Sequence, residues 1–387
     1  MNVDVIVIGQ NYSTSLGIIK AVGEFGFSCG VVKTTTGKKV LSPELKSKYV
    51  KKYVFARKYN EGEILNRLLE FSSSKKKVLL PSDDYSSSFL DRHYNELSVS
   101  FYLPNAQRTE GCMQKYFDKS LQKEIAHQFG LSVPQTWTIN TREKIETLHD
   151  VVFPCITKPQ ESIGSPKSFI RKCQTKEELM TVLNEILRGS TPDILIEQFV
   201  EIENEYTVSG VAYGGKVIIP AFMKKTRTGS GIHKGVTISG VVKRALDYQG
   251  TVEKLKGLVR EMNIEGIFDI ELFESKGRFF FNEINLRYGA AGYAVTKSGY
   301  NIPACFVNCC LGQQSDLSDN YIIEEKSFVS DKAALDSYSA GNLEWSELWR
   351  LLRDSDIRFL GKDDFGPYLL YTWSLYKTKL SKLVHRQ

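Results

Sequence analysis

The chain has 387 residues, of which 42% are hydrophobic and 25% are charged, and its formal net charge is +6. These proportions are ordinary for a folded globular protein and exclude the disordered and collagen-like classes. A chain of this length usually divides into two or three domains. No apolar run reaches the roughly 18–20 residues that a transmembrane helix requires. The first residues also lack the features of a signal peptide, so we expect a cytoplasmic protein.

The charge and the cysteine content are also consistent with a cytoplasmic protein. The basic residues are spread along the chain, so the net charge is explained by an anionic substrate and does not predict nucleic-acid binding. Seven cysteines without a C-x-x-C pair are typical of a reduced compartment. Cys305, Cys309 and Cys310 share an apolar stretch. They are interpreted as small buried residues on a helix, with a metal site as the alternative.

The N-terminal part begins as a βαβ unit. A buried strand at 3–9, a helix at 15–26 and a second strand at 29–32 predict a parallel, doubly wound sheet. The turn from Gly9 to Gly17 is not G-x-G-x-x-G, so no dinucleotide site is predicted. This turn either packs as a plain connection or presents backbone N–H groups to a carboxylate or phosphate.

Another buried strand, at 77–81, is followed by Asp83 and Asp84. Ligands of open α/β sheets bind at the carboxyl ends of the strands, which gives both aspartates a possible binding role. They also fit the N-cap and the first turn of a helix. The two interpretations are compatible.

The rest of the chain mixes helical and alternating patterns with no internal repeat. Further strands are predicted at 151–158, 167–173, 193–199, 205–212 and 215–223, helices at 61–71, 118–128, 176–188 and 251–263, and a hairpin over 266–285.

The predicted hairpin carries the strongest chemical signal. Glu283 and Asn285 are two residues apart on a strand, so their side chains leave the same face. A two-residue turn at Lys276-Gly277 would pair Glu271 with Asn282. We expect instead a three-residue loop or a bulge, either of which sets Glu271 opposite Glu283.

Two carboxylates at that separation require a cation. At about 4 Å they repel by roughly 4 kcal/mol at an effective dielectric constant of 20. Two acids and an amide oxygen, with no His or Cys, are ligands suited to Mg²⁺. The alternative is a solvent-exposed acidic hairpin. Such a hairpin would not need Arg287 or the glycine-rich run that follows it.

Upstream segments have features of a nucleotide site. Lys158 ends a buried strand and precedes a Gly/Ser loop at 161–168, which together form either a polyphosphate cradle or a surface lysine with a hairpin loop. The strand at 194–198 then breaks into a short link whose backbone groups suit an adenine edge. Glu205 is placed to accept hydrogen bonds from ribose hydroxyls.

In this order, the segments resemble the ATP-grasp superfamily over roughly residues 1–310. The spacing from Glu271 to Glu283 and the E-x-N-x-R ending are similar to the carbamoyl-phosphate-synthetase and biotin-carboxylase branch. The N-terminal half is more similar to D-aspartate ligase-like carboxylate–amine ligases. Leu286 departs from the proline that often precedes the arginine in this family. The matching segments are Asp118-Lys119, Lys158-Pro159, 161–168, Glu197 to Val200, Glu205, Glu271 and Glu283-Ile-Asn285-Leu-Arg287.

The resemblance implies an α/β ATP-grasp fold in which two α+β lobes clamp ATP. The implied domains are a Rossmann-like pre-ATP-grasp domain with a parallel sheet at 1–105, a small lobe at 106–200 with a lid loop at 161–168, a large lobe with the metal site at 201–312, and a C-terminal helical extension at 313–387.

It also implies a role for each site residue. Lys119 and Lys158 would hold the α- and β-phosphates, and Arg287 would steady the phosphoryl group and the acyl phosphate. Basic residues after the 215–223 strand approach the γ-phosphate and the acid in this family, which implicates Lys225 and Arg227; the alternative is a solvated basic loop. The lid residues Ser162, Gly164 and Ser165 would cover the phosphates, Glu197, Gln198 and Val200 would line the adenine site, Glu205 would bind ribose, and Glu271, Glu283 and Asn285 would bind one or two Mg²⁺ or Mn²⁺ ions.

The implied activity is that of an ATP-dependent ligase. A small-molecule carboxylate would become an acyl phosphate and then react with an amine, with an amino acid or a cell-envelope or polysaccharide precursor as a candidate substrate. An ATP-grasp phosphotransferase and a degenerate nucleotide-binding sensor are the alternatives. Residues 366–387 are basic, aromatic and free of acids. They form either an interface helix on a membrane surface or a helix that packs on the body or on a partner in a homodimer.

Overall fold

The computed structural model describes residues 3–37, 41–139, 148–161, 163, 167–188, 193–229, 235–313, 317 and 321–373. Within these ranges the chain forms three sheets, one parallel and two largely antiparallel, with helices packed on them. The predicted α/β class is confirmed. Among the described residues, no helix has both the length and the apolar character needed to cross a membrane.

The N-terminal sheet has five parallel strands in the order β3-β2-β1-β4-β5. Helices cover it, so β1 and β4 are buried along their whole length. This burial explains why both strands have continuous apolar sequences without alternation. The elements are β1 (Val5–Gly9), α1 (Tyr12–Glu24), β2 (Cys29–Thr35), β3 (Val50–Arg57), α2 (Glu61–Leu69), β4 (Lys77–Pro81), α3 (Asp84–Arg92), α4 (Tyr94–Leu97) and β5 (Phe101–Tyr102).

A short strand and a helix lead into an antiparallel sheet of four strands, ordered β7-β10-β8-β9. The helix after β9 contributes its apolar side to the core of this sheet, so the sheet is covered on one face. The elements are β6 (Asn105–Ala106), α5 (Lys119–Gln128), β7 (Thr136–Ile139), β8 (Cys155–Pro159), β9 (Arg171–Cys173), α6 (Lys176–Leu187) and β10 (Ile194–Gln198).

The largest sheet has nine strands. Seven run in the order β16-β15-β11-β13-β14-β17-β18, while β12 pairs with β11 and β6 pairs with β15. The elements are β11 (Asn204–Tyr213), β12 (Lys216–Ile218), β13 (Ala221–Thr228), β14 (Thr237–Arg244), α7 (Gln249–Met262), β15 (Ile264–Ser275), β16 (Arg278–Asn285), α8 (Gly292–Lys297), α9 (Ile302–Cys310), β17 (Ser327–Val329), α10 (Asp331–Ser339), α11 (Trp345–Asp354) and β18 (Ile357–Arg358).

Three predicted strands differ from the observed ones. The strand predicted at 151–158 begins only at Cys155. The strand predicted at 215–223 is two strands, β12 and the start of β13, which are separated at Ile219-Pro220 because proline has no backbone N–H to donate. The strand predicted at 167–173 is extended only at Arg171–Cys173, since Lys167–Phe169 forms a 3₁₀ turn.

The division into four domains stays a prediction, and two observations bear on its boundaries. Helix α5, assigned from the sequence to the small lobe, packs its apolar side in the core beneath the nine-stranded sheet and contacts β16 and α7. The segment after 313, expected to be helical, also adds β17 and β18 to the edge of that sheet. Strands of three and two residues are too short to show an alternating pattern.

Candidate active site

The hairpin of β15 and β16 brings the two predicted metal-binding carboxylates together. Its turn has two residues, Lys276 and Gly277, both with positive φ (49° and 70°), so the register at the tip pairs Ser275 with Arg278. Farther along, the register shifts by one residue, and Glu271 lies directly opposite Glu283. The expected facing of the two carboxylates is therefore produced by a bulge rather than by a longer loop.

The extra residue of that bulge is Asn282, and sequence reasoning missed its role. Its Oδ1 accepts a hydrogen bond from Lys158 Nζ at 2.9 Å, and its Nδ2 lies 3.4 Å from Glu271 Oε2. Its backbone carbonyl accepts from Lys123 Nζ at 3.2 Å. The sequence did contain a signal for this role. A two-residue turn pairs Glu271 with Asn282, so placing Glu271 opposite Glu283 requires a bulge, and a bulge residue is released from cross-strand pairing.

Two predicted phosphate-binding lysines lie beside this hairpin. Lys119 begins α5 directly after Asp118, whose carboxylate caps the helix by accepting from backbone N–H groups. Lys119 Nζ is 3.0 Å from Glu283 Oε2. Burial opposes ionisation of Glu283, but Lys119 and Lys158 lower the pKa of that carboxyl, which stays charged.

Two lysines, the buried Lys123 and the half-buried Lys158, share the carboxylate of Glu197. Lys158 Nζ is 2.8 Å from one oxygen. Lys123 Nζ is 2.7 Å from the other oxygen, in a direction that does not meet hydrogen-bond geometry. Burial penalises the charge of Glu197, yet Lys158 and Lys123 lower its pKa to about 2. Lys123 is itself so buried that its pKa is lowered. Sequence reasoning missed Lys123, because one lysine in an amphipathic helix is ordinarily a surface residue.

The remaining predicted adenine-site residues lie near the end of β10. The backbone N–H of Gln198 donates to Gln135 at 2.9 Å, so it is engaged in the sheet. Val200 follows β10 and is half-buried. The structure thus shows the side chain of Glu197 in contact with two lysines. The contacts of Glu197, Gln198 and Val200 with adenine stay a prediction.

The predicted lid begins beside Lys119. The backbone N–H of Lys119 donates to Gln160 O at 3.2 Å, and Gln160 Nε2 donates to Asp118 Oδ2 at 2.8 Å. These contacts hold the start of the 161–168 loop against the N-terminus of α5. The predicted lid residues Ser162, Gly164 and Ser165 lie outside the described residues.

Arg287 links the hairpin to the parallel sheet. Its Nε donates to Asp84 Oδ1 at 3.0 Å, across 203 residues of sequence, and its Nη2 donates to Asn285 Oδ1 at 3.2 Å. Burial opposes its charge, but Asp84 raises the pKa of Arg287, which remains a cation. Of the two aspartates, Asp83 is the N-cap of α3 and Asp84 is this ion-pair partner. The capping interpretation is confirmed for Asp83.

Lys225 and Arg227 lie on the same strand but have different surroundings. Lys225 is buried, faces Glu205 across β11 and β13, and has its Nζ 3.3 Å from Glu205 Oε2. Burial opposes its charge, while Glu271 and then Glu205 raise the pKa of Lys225, so its ammonium lies in the field of the hairpin. Arg227 Nη1 instead pairs with Glu347 of α11 at 3.0 Å. The catalytic role predicted for Arg227 stays a prediction.

A third acid, Asp269, lies on the same face of β15 as Glu271. Its Cα is paired with that of Asn285, and Ser209 Oγ donates to its Oδ1 at 2.6 Å. Burial raises the pKa of Asp269 to about 6 in spite of that hydrogen bond and the nearby Arg287. Its carboxylate also lies tightly against Gly289, so it supports the chain just beyond Arg287.

Replacing Gly289 with alanine is expected to destabilise the protein by about 1–3 kcal/mol. A Cβ at this position would lie 2.3–2.5 Å from the Asp269 carboxylate, which is buried and held by Ser209, so the loop after Arg287 must shift. Urea unfolding measures the change. Gly250→Ala is the matched control, because no atom beyond its chain neighbours and its own helix backbone lies within 4 Å of the added methyl group. Equal midpoints for the two variants would contradict this account of the loop.

A comparison with protein-family models identifies this part of the chain. Residues 124–302 match the family model of the ATP-grasp domain. The chain contains an ATP-grasp domain. The predicted resemblance is confirmed. The matched range begins within α5 and includes the four-stranded sheet and strands β11 to β16 of the nine-stranded sheet, and with them the β15–β16 hairpin.

Relatives of the ATP-grasp domain are distant. The C-terminal section of the carbamoyl phosphate synthase large chain of Aquifex aeolicus is 24% identical over 208 residues, covering 52% of this chain and 38% of that protein. The formate-dependent phosphoribosylglycinamide formyltransferase of Sulfolobus acidocaldarius is 26% identical over 198 residues, covering 47% of each. This chain therefore spans about half the length, or less, of these curated relatives.

Solved structures of similar fold cover more of the chain. N5-carboxyaminoimidazole synthetase from Staphylococcus aureus superposes with a TM-score of 0.65 at 15% identity, covering 88% of both chains. The L-amino acid ligase from Bacillus licheniformis superposes with a TM-score of 0.61 at 17% identity, covering 80% of this chain and 74% of that one. At such identities the likeness establishes the ATP-grasp fold, including the parallel sheet before the matched domain.

Proposed function

We propose that this protein is an ATP-dependent carboxylate–amine ligase that forms an amide through an acyl phosphate and releases ADP and phosphate. The observation that carries the proposal is the facing of Glu271 and Glu283 across the hairpin, surrounded by Lys119, Lys158 and Arg287. Such a cluster of two acids and several cations suits a metal–polyphosphate complex, in which both signs of charge are neutralised together.

The donor atoms fit magnesium. Glu271, Glu283 and Asn285 supply carboxylate and amide oxygens from one face of the hairpin. Across the part of the chain that the structure describes, no group of three or more His, Cys, Asp or Glu residues gathers into a metal site. Mg²⁺ matches this sparse set, since it is usually held by one or two carboxylates and completes its shell with phosphate oxygens and water. Mn²⁺ would use the same ligands.

The lysines and Glu205 supply the remaining contacts of the proposed nucleotide site. Lys119 and Lys158 would hold phosphate oxygens beside the metal ligands, and the contact with Glu197 holds Lys158 in position. Glu205 would bind the ribose, and the segment from Glu197 through Gln198 to Val200 would line the adenine. The lid residues Ser162, Gly164 and Ser165 belong to the same proposal.

In the proposed reaction the substrate carboxylate accepts the terminal phosphoryl group, and an amine then displaces phosphate from the acyl phosphate. Mg–ATP supplies the phosphoryl group and neutralises its charge. Arg287, fixed by Asp84 and Asn285, would stabilise negative charge on the transferred group, and the buried Lys225 would act from β13. Arg227 would approach the acid only by leaving Glu347.

The proposed substrates are a small carboxylate and a small amine in the cytoplasm, with an amino acid or a cell-envelope or polysaccharide precursor as candidates. Support comes from the similar fold of an L-amino acid ligase and from the limited sequence identity with carbamoyl phosphate synthase. A homodimer, also expected from the sequence, remains to be tested by sedimentation.

A screen of ADP release tests the proposal directly. Purified protein is incubated with Mg–ATP and paired libraries of carboxylates and amines. We expect rapid ADP release only when a suitable acid and a suitable amine are both present, together with an amide product of the summed mass less water. A phosphorylated product that accumulates at the same rate without any amine would instead establish a phosphotransferase. ADP release that no substrate pair stimulates would contradict the ligase proposal.

A further inference from the structure

A crevice lies where the parallel sheet meets the nine-stranded sheet, away from the proposed nucleotide site. Its volume is about 190 Å³. One wall comes from α4 and β5, and the other comes from the end of β11, the beginning of β15 and α9. Glu265, on this second wall, is separated from Glu271 by about 20 Å of extended strand. The crevice is therefore a separate feature that the proposed ligase reaction does not use.

The floor of the crevice is apolar and shielded from water. Phe101, Phe306 and Cys310 are 1%, 1% and 6% exposed. The ring of Tyr213 meets that of Phe306 edge to face, with the two centroids 6.2 Å apart. Aromatic walls of this kind hold a flat ring through offset or edge-to-face contacts. The floor therefore suits the aromatic part of a small molecule.

The rim of the crevice is polar and carries a net positive charge. Lys76 and Arg108 are its cations, and Glu265 is its acid. Arg108 donates from Nε and from Nη2 to the two carboxylate oxygens of Glu265, in both cases at 3.1 Å. The backbone N–H of Gly214 also donates to Glu265 Oε1 at 3.2 Å. Because Nη1 of Arg108 takes no part in these contacts, an incoming anion can bind Arg108 without displacing Glu265.

Lys76 and two tyrosines supply further donors around the crevice. The ammonium of Lys76 donates to the backbone carbonyl of Ser98 at 2.6 Å, which engages only one of its N–H groups. Tyr94 and Tyr213 line the crevice, and burial raises the pKa of both hydroxyl groups, so both stay protonated and able to donate. A negatively charged acceptor matches this set of donors, and a cation does not.

The backbone that carries Arg108 is held in an unusual conformation. Gln107 and Arg108 have φ values of 58° and 52°, in the left-handed region that costs a residue with a Cβ about 1 kcal/mol or more. The backbone N–H of Gln107 donates to Asn263 O at 3.2 Å. The backbone N–H of Thr109 donates to Asn105 Oδ1 at 2.7 Å. Strain that the surrounding structure enforces is concentrated at functional sites, and here it fixes the backbone at the rim of the crevice.

We propose that this crevice binds a small aromatic carboxylate. The ring would lie on the floor against Phe306 and Tyr213, and the carboxylate would meet the ammonium of Lys76 and Nη1 of Arg108 at the rim. A volume of about 190 Å³ is too small for a nucleotide. Two cations and one acid at the rim balance a single negative charge, whereas they leave a phosphate dianion partly uncompensated.

A ligand-observed NMR titration of the full-length protein, without ATP or metal, tests the proposal. The probes are phenylacetate, 4-hydroxyphenylacetate and indole-3-acetate, compared with the neutral phenylacetamide and the cationic 2-phenylethylamine. We expect at least one carboxylate to bind with a Kd of about 1 mM or tighter. Its affinity should exceed that of either comparison compound by about tenfold or more, because only the carboxylate forms charge-assisted hydrogen bonds at the rim.

Variants at the rim locate the bound probe. Lys76→Gln and Arg108→Gln should each weaken binding of the carboxylate by about fivefold or more, because each removes a charged donor. Lys75→Gln is the matched control and should bind like wild type, since Lys75 is an exposed neighbour of Lys76 that does not line the crevice. The titration requires no catalytic activity, so its result is independent of the proposed ligase function.

Four outcomes would overturn the proposal. These are absence of binding by every carboxylate at about 10 mM, equal affinity for the carboxylates and either comparison compound, binding that Lys76→Gln and Arg108→Gln leave unchanged, and an equal loss of binding in the Lys75→Gln control. Circular dichroism of each variant ensures that a lost interaction is not lost folding.

Discussion

Glu283→Gln is expected to lower the rate of substrate-dependent ADP release roughly a hundredfold or more, with the fold retained. The change keeps the size of the side chain but removes one of two negative charges that face each other across β15 and β16. It also removes the partner of Lys119, whose Nζ lies 3.0 Å from the Glu283 carboxylate. The measurement is steady-state ADP release over a range of Mg²⁺ concentrations.

A conservative change elsewhere in the same hairpin isolates this effect. Glu265→Gln removes a carboxylate at the beginning of β15, about 20 Å along the strand from Glu271, where it pairs with Arg108. This control should keep nearly full activity. Partial recovery of Glu283→Gln at high Mg²⁺ would support a direct metal ligand. Unchanged ADP release in Glu283→Gln would show that the metal assignment is wrong.

Glu197→Gln is expected to destabilise the protein by about 3–5 kcal/mol at neutral pH. The carboxylate lies between Lys123 and Lys158, which are 2.7 and 2.8 Å from its two oxygens, and Lys123 is 4% exposed. Without it, both lysines lose the carboxylate that they share, and a buried charge that loses its partner is costly. Urea unfolding monitored by tryptophan fluorescence measures the loss.

Two further measurements separate charge pairing from simple packing. Lys123→Met combined with Glu197→Gln removes one charge of each sign, so the double variant should be more stable than Glu197→Gln alone. The pKa of Glu197 is lowered to about 2, so its contribution is present above its ordinary pKa and lost as the pH falls toward 2. The stability difference between wild type and Glu197→Gln should therefore shrink over that acidic range. A constant difference down to pH 2 would exclude the ion pair as its cause.

Much of the site could be inferred without coordinates because its key residues are close in sequence. Alternation along a strand places Glu283 and Asn285 on one face, and a short turn returns Glu271 to them. The parallel sheet at the N-terminus could also be predicted, since a buried strand followed by a helical pattern is compatible with few fold classes. These inferences depend on local periodicity, which a sequence displays directly.

Contacts between distant segments could not be predicted from local sequence patterns. Ser209 and Asp269 are 60 residues apart, and Lys123 meets the carbonyl of Asn282 across 159 residues. Each residue alone has a more ordinary interpretation as a surface or strand residue. Nothing in the local pattern marks which lysine of an amphipathic helix is buried, because burial depends on the sheet that the helix covers.

The hairpin carboxylates and the α/β order of elements were determined by the sequence alone, since each follows from residue type and local spacing. The phosphate-binding roles of Lys119 and Lys158 stay a prediction that depends on the family resemblance. Tertiary structure decided the rest. It joined Asp84 to Arg287, set Glu197 between two lysines, turned Arg227 toward Glu347, and left Phe365, Leu369 and Trp373 exposed while Tyr371 became buried. The physical reason is that charge pairing and burial are properties of neighbours in space, which only the packed chain brings together.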